Sequence, residues 1–554
     1  MQYLIILFAA LVGTVFVTPY YINLLNKINV IDLPDGKRKL HISPVPRMGG
    51  FLIFIIVTTS LFIFYGDLTS IKFFLFGSTV IVTIGAYDDL FGAGWYTKFA
   101  YQALSAVLLL LFIIPQITTL TLFGIESPAI PAAIILMFFI VGTINSFNLL
   151  DGLDGLVSGI TLLVSAVLFF ISLNQLNIFL LVLLSTLIGC LVGFLKYNAF
   201  PARIFLGDSG SFLLGYFIVG AVLIISADNS TKNLDLTFPV ILLAVPILDT
   251  IKVFSERLLS GRHPFLADRN HIHHIVFSKN ITHKTTVFII TIYSLLFAAN
   301  AIYYRYYNEA GGIIIFFVLL IPLVLANKIL TFIINSEKLL TYGRAVNRFP
   351  QFLINFYKTA VLPAVSLFTA ILIVYLQIAG KNFKVEFLIP SLVILGSLLT
   401  FTILNYRKSK LFTDIIVFFN ILVFFVINLS NPLLYKDIAE LPLIGNITFH
   451  LLIIALLLPT VGFFLLFRDR IQQNREMYLS GLDLAIILLV VLLSLTSRLI
   501  PISNAYLIPD TIFRSFLIYL FYKIVIQIKP KFRLTLYAFS FLMVLLSQSI
   551  ILIF

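Results

Sequence analysis

Charged side chains are scarce in this sequence. Asp, Glu, Lys and Arg make up 11% of its 554 residues, where a soluble globular chain carries about a quarter. Set against a hydrophobic share of 60%, that deficit excludes an ordinary soluble domain and indicates a polytopic membrane protein. Long hydrophilic stretches are missing too, so no separate soluble domain is expected. Cysteine occurs once, as Cys190 inside an apolar stretch, which excludes a disulfide within the chain. No Lys or Arg precedes the first apolar run. That layout differs from a signal peptide, and a retained first helix is expected.

What the chain has instead is a series of apolar stretches, each of roughly 18 residues or more and so long enough to cross a bilayer core of about 30 Å. The expected fold class is an all-α polytopic integral membrane protein. About eleven spans fall within residues 1–330, the ninth at roughly 237–255, and about seven more within residues 359–554. Residues 331–358 form a basic connector with Lys338, Arg344, Arg348 and Lys358, read as either an interfacial helix or an inside loop. The net charge of +13 is distributed by side. With the N-terminus outside, about 29 of the 37 Lys and Arg face the cytoplasm, which fits the positive-inside rule. The basic excess therefore calls for no nucleic acid. A multi-pass protein of the inner (cytoplasmic) membrane is expected, with a homodimer as a candidate assembly.

Ionisable groups near a bilayer are costly and tend to be functional. Five sets of them fall on the expected cytoplasmic side. The loop after the first span runs from Asp32 to Gly50 and contains Lys39, His41 and Arg47 among proline turns. Asp88 and Asp89 end the third span; adjacent carboxylates repel unless a cation or a shared proton relieves them. Asn145, Asn148, Asp151 and Asp154 follow at three-residue spacing, with Gly152 and Gly155 expected to break the helix so that these groups converge. Gly207-Asp208-Ser209-Gly210-Ser211 has ordinary turn and cap residues. It also suits a metal-holding carboxylate at a helix start. The fifth set, between the ninth and tenth spans, includes Arg269, His271, His273 and His274. Zinc is an alternative for these histidines, but no cysteine set completes such a site, and Arg suits a phosphorylated anion.

At these residues the chain resembles the polyprenyl-phosphate N-acetylhexosamine-1-phosphate transferases of glycosyltransferase family 4, which start cell-envelope glycan assembly. The resemblance covers roughly residues 1–330 and includes all five sets in the family's order. It implies a transmembrane helical bundle with a cytoplasmic active site, UDP-N-acetylhexosamine as donor and undecaprenyl phosphate as acceptor. Under it, Asp88, Asp89, Asp151 and Asp154 are candidate catalytic residues, the first two beside the lipid phosphate. Lys39, His41, Arg47, Asn145, Asn148, Arg269, His271, His273 and His274 are candidate substrate-binding residues. Asp208 is the expected Mg²⁺ ligand, with Asp88 and Asp151 as further candidates and Mn²⁺ as the alternative ion. The stretch His271-Ile272-His273-His274 looks like the branch that uses UDP-N-acetylglucosamine. The branch that uses UDP-N-acetylmuramoyl-pentapeptide carries three consecutive histidines there. The resemblance also implies release of UMP. A direct in-line displacement is expected, and a covalent route through an Asp nucleophile stays open.

Rival readings are a transporter and a silent scaffold. A transporter would place its polar groups near the bilayer midplane at broken helices, whereas here they gather at span ends; the complete set of carboxylates argues against a scaffold. The region 359–554 lies beyond the resemblance, has no concentrated acid, His or Cys cluster, and is expected to be an accessory transmembrane region.

Overall fold

The computed structural model describes residues 2–33, 44–228, 230–261, 271–277, 283–325, 350–379, 455–461 and 507–528, with Ile421, Phe463 and four residues of 535–539. The chain divides into two compact units, one with the described residues up to 325 and the other with those from 350 onward.

The first unit is a helical bundle. Its long helices are α1 (Gln2–Lys27), α2 (Gly49–Phe64), α3 (Lys72–Phe91), α4 (Trp95–Ile113), α5 (Ala129–Leu150), α6 (Leu156–Gln175), α7 (Ile178–Asn198) and α8 (Gly207–Ser226). Then come α9 (Thr237–Leu242), α10 (Ala244–Leu259), α11 (Ile272–Phe277), α12 (His283–Tyr306) and α13 (Glu309–Val324). Helices α7 and α8 are the centre: 94% of the most apolar stretch of each is buried, against 33% for α4 and 39% for α1. Hydroxyls on these inner helices bond back to the preceding turn, as Ser185 Oγ does to Leu181 O at 2.5 Å and Thr186 Oγ1 to Val182 O at 2.9 Å. A polar side chain is thereby satisfied where no water reaches it.

Among the described residues nine helices are long and apolar enough to cross a membrane, which fits a polytopic helical membrane protein. Part of the expected count of eleven plus seven spans lies outside the described residues. Two differences from expectation have clear causes. The ninth span is not one helix but two, broken at Leu243. Pro246 has no N–H for the Leu242 carbonyl, and its ring clashes with it, so the helix must restart. Small β-sheets also accompany the helices. The strands β1 (Ile31–Asp32) and β2 (Val45–Pro46) pair antiparallel. The other four are β3 (Thr119–Leu122), β4 (Ile125–Pro128), β5 (Ala227–Asp228) and β6 (Asn233–Asp235), in the order β4-β3-β6-β5. The β3–β4 turn places Phe123 and Gly124 at φ 49° and 81°, as a two-residue hairpin requires. This sheet lies where α4 and α8 end, opposite the end at which Asp88 and Asp208 meet.

Glycines set how closely the helices approach at that end. A Cβ on Gly50 of α2 would run into the Gly210 backbone, and one on Gly85 of α3 into that of Ser209. The start of α8 is therefore wedged between α2 and α3, as small residues allow in membrane bundles.

In the second unit a helix runs through Gln351–Phe356, a π-helical turn at Tyr357–Val361, and Leu362–Ala379. Residues 351–358, expected in the connector, are thus helical. Tyr357 donates to Thr460 O at 2.9 Å and stacks on Phe463. A further helix spans Leu507–Ile528.

Candidate active site

Asp88 and Asp89 occupy the last turn of α3, and being neighbours they point in different directions. The link to α4 is only Gly92-Ala93-Gly94, with Gly92 at φ 75°. This tight return brings Lys98 of α4 back to Asp88, and Lys98 Nζ lies 2.5 Å from Asp88 Oδ2. The same ammonium is 2.8 Å from Asp208 Oδ2 at the start of α8. Asn148 completes the group from α5, its Nδ2 donating to Asp208 Oδ1 at 3.0 Å, with Ser211 Oγ also at 3.0 Å. Three of the residues expected from sequence, Asp88, Asn148 and Asp208, thus meet around one lysine.

Asp89 has a different setting. It is 4% exposed and accepts from Asp208 N–H at 3.0 Å, Ser209 N–H at 3.1 Å and Ser209 Oγ at 2.7 Å. It caps α8 from a neighbouring helix, complementing the positive end of the helix dipole. Gly207 is required beside it, since a Cβ there would lie 2.5 Å from Asp89 Oδ2. Asp89 thereby fixes the position of Asp208. Arg47 acts on Asp89 electrostatically and lies 3.9 Å from Asp32.

Helix α5 stops at Leu150 and α6 begins at Leu156, with Gly155 at φ 76°, so the expected helix break is present. Within it, half-buried Asp151 faces the charges of Asp208, Asp89 and Asp154. Desolvation first, then these three neighbours, hold its carboxyl well above the usual carboxylate range. Asp154 serves as a tie: its Oδ2 accepts from Ala202 N–H at 3.0 Å, and its own N–H donates to His283 Nε2 at 3.2 Å. Asn145 is half-buried one turn before Asn148 on α5.

His271 and His273 are buried, and the latter presses on this loop. A Cβ on Gly152 would run into His273 Nε2. Gly152 is therefore needed for close approach, while the unusual backbone angle falls at Gly155. Burial, with His274 and His271 alongside, pushes His273 down to about 3. The rings of His273 and His274 are 4.2 Å apart. Lys39, His41 and Arg269 lie outside the described residues.

Sequence reasoning missed Lys98, Asp249 and His283. Lys98 is the one charged residue between Asp89 and Glu126, and Asp249 is an acid inside an expected span. Both carried a signal as isolated charges in apolar runs.

Among the described residues no group of three or more His, Cys, Asp or Glu forms a ready-made metal cage. Asp88 and Asp208 bring two carboxylates to one ammonium, Lys98, and Mg²⁺ would share those oxygen donors with it. That ion is held by one or two carboxylates together with waters and substrate phosphates.

The family model described as glycosyl transferase family 4 matches residues 71–226, which contain Asp88, Lys98, Asn148 and Asp208. An undecaprenyl-phosphate alpha-N-acetylglucosaminyl 1-phosphate transferase of Thermotoga maritima is 34% identical over 281 residues, covering 51% of this chain and 84% of that protein. The chain belongs to glycosyl transferase family 4. A Bacillus subtilis relative, a probable undecaprenyl-phosphate N-acetylglucosaminyl 1-phosphate transferase, is 29% identical over 350 residues, covering 61% of this chain and 96% of its own length. A decaprenyl-phosphate N-acetylglucosaminephosphotransferase of Mycobacterium leprae is 28% identical over 330 residues, covering 54% of this chain and 83% of its own. As a family 4 member the chain is an enzyme of the phosphotransferase class.

Proposed function

We propose that this enzyme transfers N-acetylglucosamine 1-phosphate from UDP-N-acetylglucosamine to undecaprenyl phosphate, releasing UMP. The reaction would be the first membrane step of a cell-envelope glycan, carried out at the cytoplasmic face of the inner membrane. The observation that carries this reading is the meeting of Asp88, Lys98, Asn148 and Asp208 at one end of the bundle, with Asp151 and the histidines of α11 beside them. The names of the family 4 relatives supply the sugar and the lipid.

The chemistry brings an anionic lipid phosphate onto the anionic β-phosphate of the donor, so charge screening and alignment are the main requirements. Lys98 places a cation between two carboxylates and can turn toward an entering phosphate. Asp208, with Asp88, would hold Mg²⁺, which supplies further screening of the phosphates. Asp89 keeps Asp208 in place through α8. Any proton taken up by Asp88 is a minor aid, because the second pKa of a phosphate is about 6 and the lipid phosphate is largely dianionic at neutral pH.

The test is UMP release by the purified full chain with undecaprenyl phosphate, Mg²⁺ and a panel of UDP-sugars. Release with UDP-N-acetylglucosamine that EDTA abolishes is expected. Release only with UDP-N-acetylmuramoyl-pentapeptide would move the chain to the other branch. No release from any donor by folded protein would overturn the reading.

A further inference from the structure

Asp249 lies outside every motif of the sequence, yet its surroundings are specific. It sits on α10, is 2% exposed, and uses both carboxylate oxygens. Oδ2 pairs with His271 Nδ1 at 2.9 Å, and Oδ1 accepts from Ile272 N–H at 2.7 Å. A carboxylate can only accept, so the proton of a neutral His271 is placed on Nδ1 and Nε2 is left as the acceptor nitrogen. The His271 ring is in turn stacked with His273, with centroids 5.9 Å apart and planes at 12°. His273 rests on Gly152, between the two aspartates of the Asp151–Asp154 loop.

We propose that Asp249 is a positioning residue for the sugar-phosphate transfer: it sets the tautomer and orientation of His271 and anchors α11 against the Asp151–Asp154 loop. This rests on the functional reading above, in which His271 contacts the donor. The pairing leaves Nε2 as the one ring nitrogen of His271 able to accept from a donor group. A histidine without such a partner would divide between two tautomers and several ring orientations, and only a fraction of molecules would be competent.

A plain capping role for Asp249 makes a different prediction, and Asp249→Asn separates the two. The amide oxygen still accepts from Ile272 N–H, so the cap survives. Its NH₂ can only donate to His271 Nδ1, which forces the proton to Nε2.

Full-length protein labelled with ¹⁵N-histidine, at alkaline pH in detergent, reports the protonated nitrogen directly. Loss of a signal in His271→Asn identifies the residue. The wild type is expected to show His271 protonated at Nδ1, and Asp249→Asn to move the proton to Nε2. UMP release should fall about 10- to 100-fold, the range known for hydrogen-bond partners that orient metal-ligating histidines. In a His271→Asn background the same change should remove little more, because the two residues work as a unit. An unchanged nitrogen pattern in folded Asp249→Asn protein, undiminished UMP release by that variant, or losses that multiply in the double variant would overturn the proposal. Should Asp249→Asn not fold, the wild type still tests the pairing, since a His271 with bare Nδ1 would overturn the proposal. A wild type that releases no UMP overturns the functional reading, while the nitrogen pattern still decides whether Asp249 sets His271.

Discussion

Lys98 joins carboxylates drawn from helices far apart in sequence, Asp88 ten residues before it and Asp208 110 residues after it. Without the ammonium, the two carboxyls it joins would face each other in a half-buried site, where like charges repel strongly. Lys98→Met is expected to lower UMP release by about 100-fold, the scale found when one preorganised donor is removed. Near-normal turnover in folded protein would take Lys98 out of the chemistry. At the same scale His273 makes a pH prediction. An unfolded histidine titrates near 6.5, whereas His273 is pushed to about 3. Between those values the unfolded chain binds the extra proton, so this contribution to stability is complete above about 6.5 and is lost as pH falls toward 3. Thermal midpoints at about pH 7 and about pH 5 should therefore differ less in His273→Gln than in the wild type. An equal drop in both proteins would mean that His273 is hydrated in the fold.

Among the elements, α8 is the one on which the site depends, because its first turn carries Asp208 and is fixed by neighbours. Asp89 caps it from α3, and Gly50 and Gly85 let α2 and α3 close on its backbone. Gly85→Ala should push that first turn outward and cut UMP release by about 100-fold, since a misplacement of about 1 Å has that effect on aligned groups. Gly142→Ala on α5 is the control. A Cβ there meets nothing within 4 Å, so activity should hold and helix propensity favours the change by about 1 kcal/mol. Equal losses in the two variants would sink the wedge explanation. The elements also show what could be read beforehand. The order of the carboxylate motifs already placed Asp88, Asn148 and Asp208 at one end, because the apolar runs between them fix the crossing pattern. Partnership was not legible: nothing in the run around Lys98 says that it faces Asp88, and nothing around Asp249 says that it meets His271. The sheet beside α4 and α8 was missed because strands of two to four residues are too short to show a period-two pattern. The break at Leu243 had its signal in Pro246, which the strong hydrophobicity of the run obscured.

For the molecule as a whole, the question is what the second unit adds. The match to the Bacillus subtilis relative takes in 96% of that protein but only 61% of this chain, so a related transferase is assembled from a length well short of this one. The residues matched by the family model, and every described member of the site from Asp32 to His283, belong to the first unit. An accessory role for the second unit makes a direct prediction. A chain ended after Asn335 should insert in the membrane and release UMP at a rate within about threefold of the full chain, the change of less than 1 kcal/mol in barrier expected when no catalytic contact is lost. The comparison requires both proteins in the same detergent and lipid, with thermal melting to show that each is folded. A folded but inactive shortened chain would assign the second unit a part in catalysis or in lipid capture. A shortened chain that cannot fold would mean that the first unit depends on the second for its own stability.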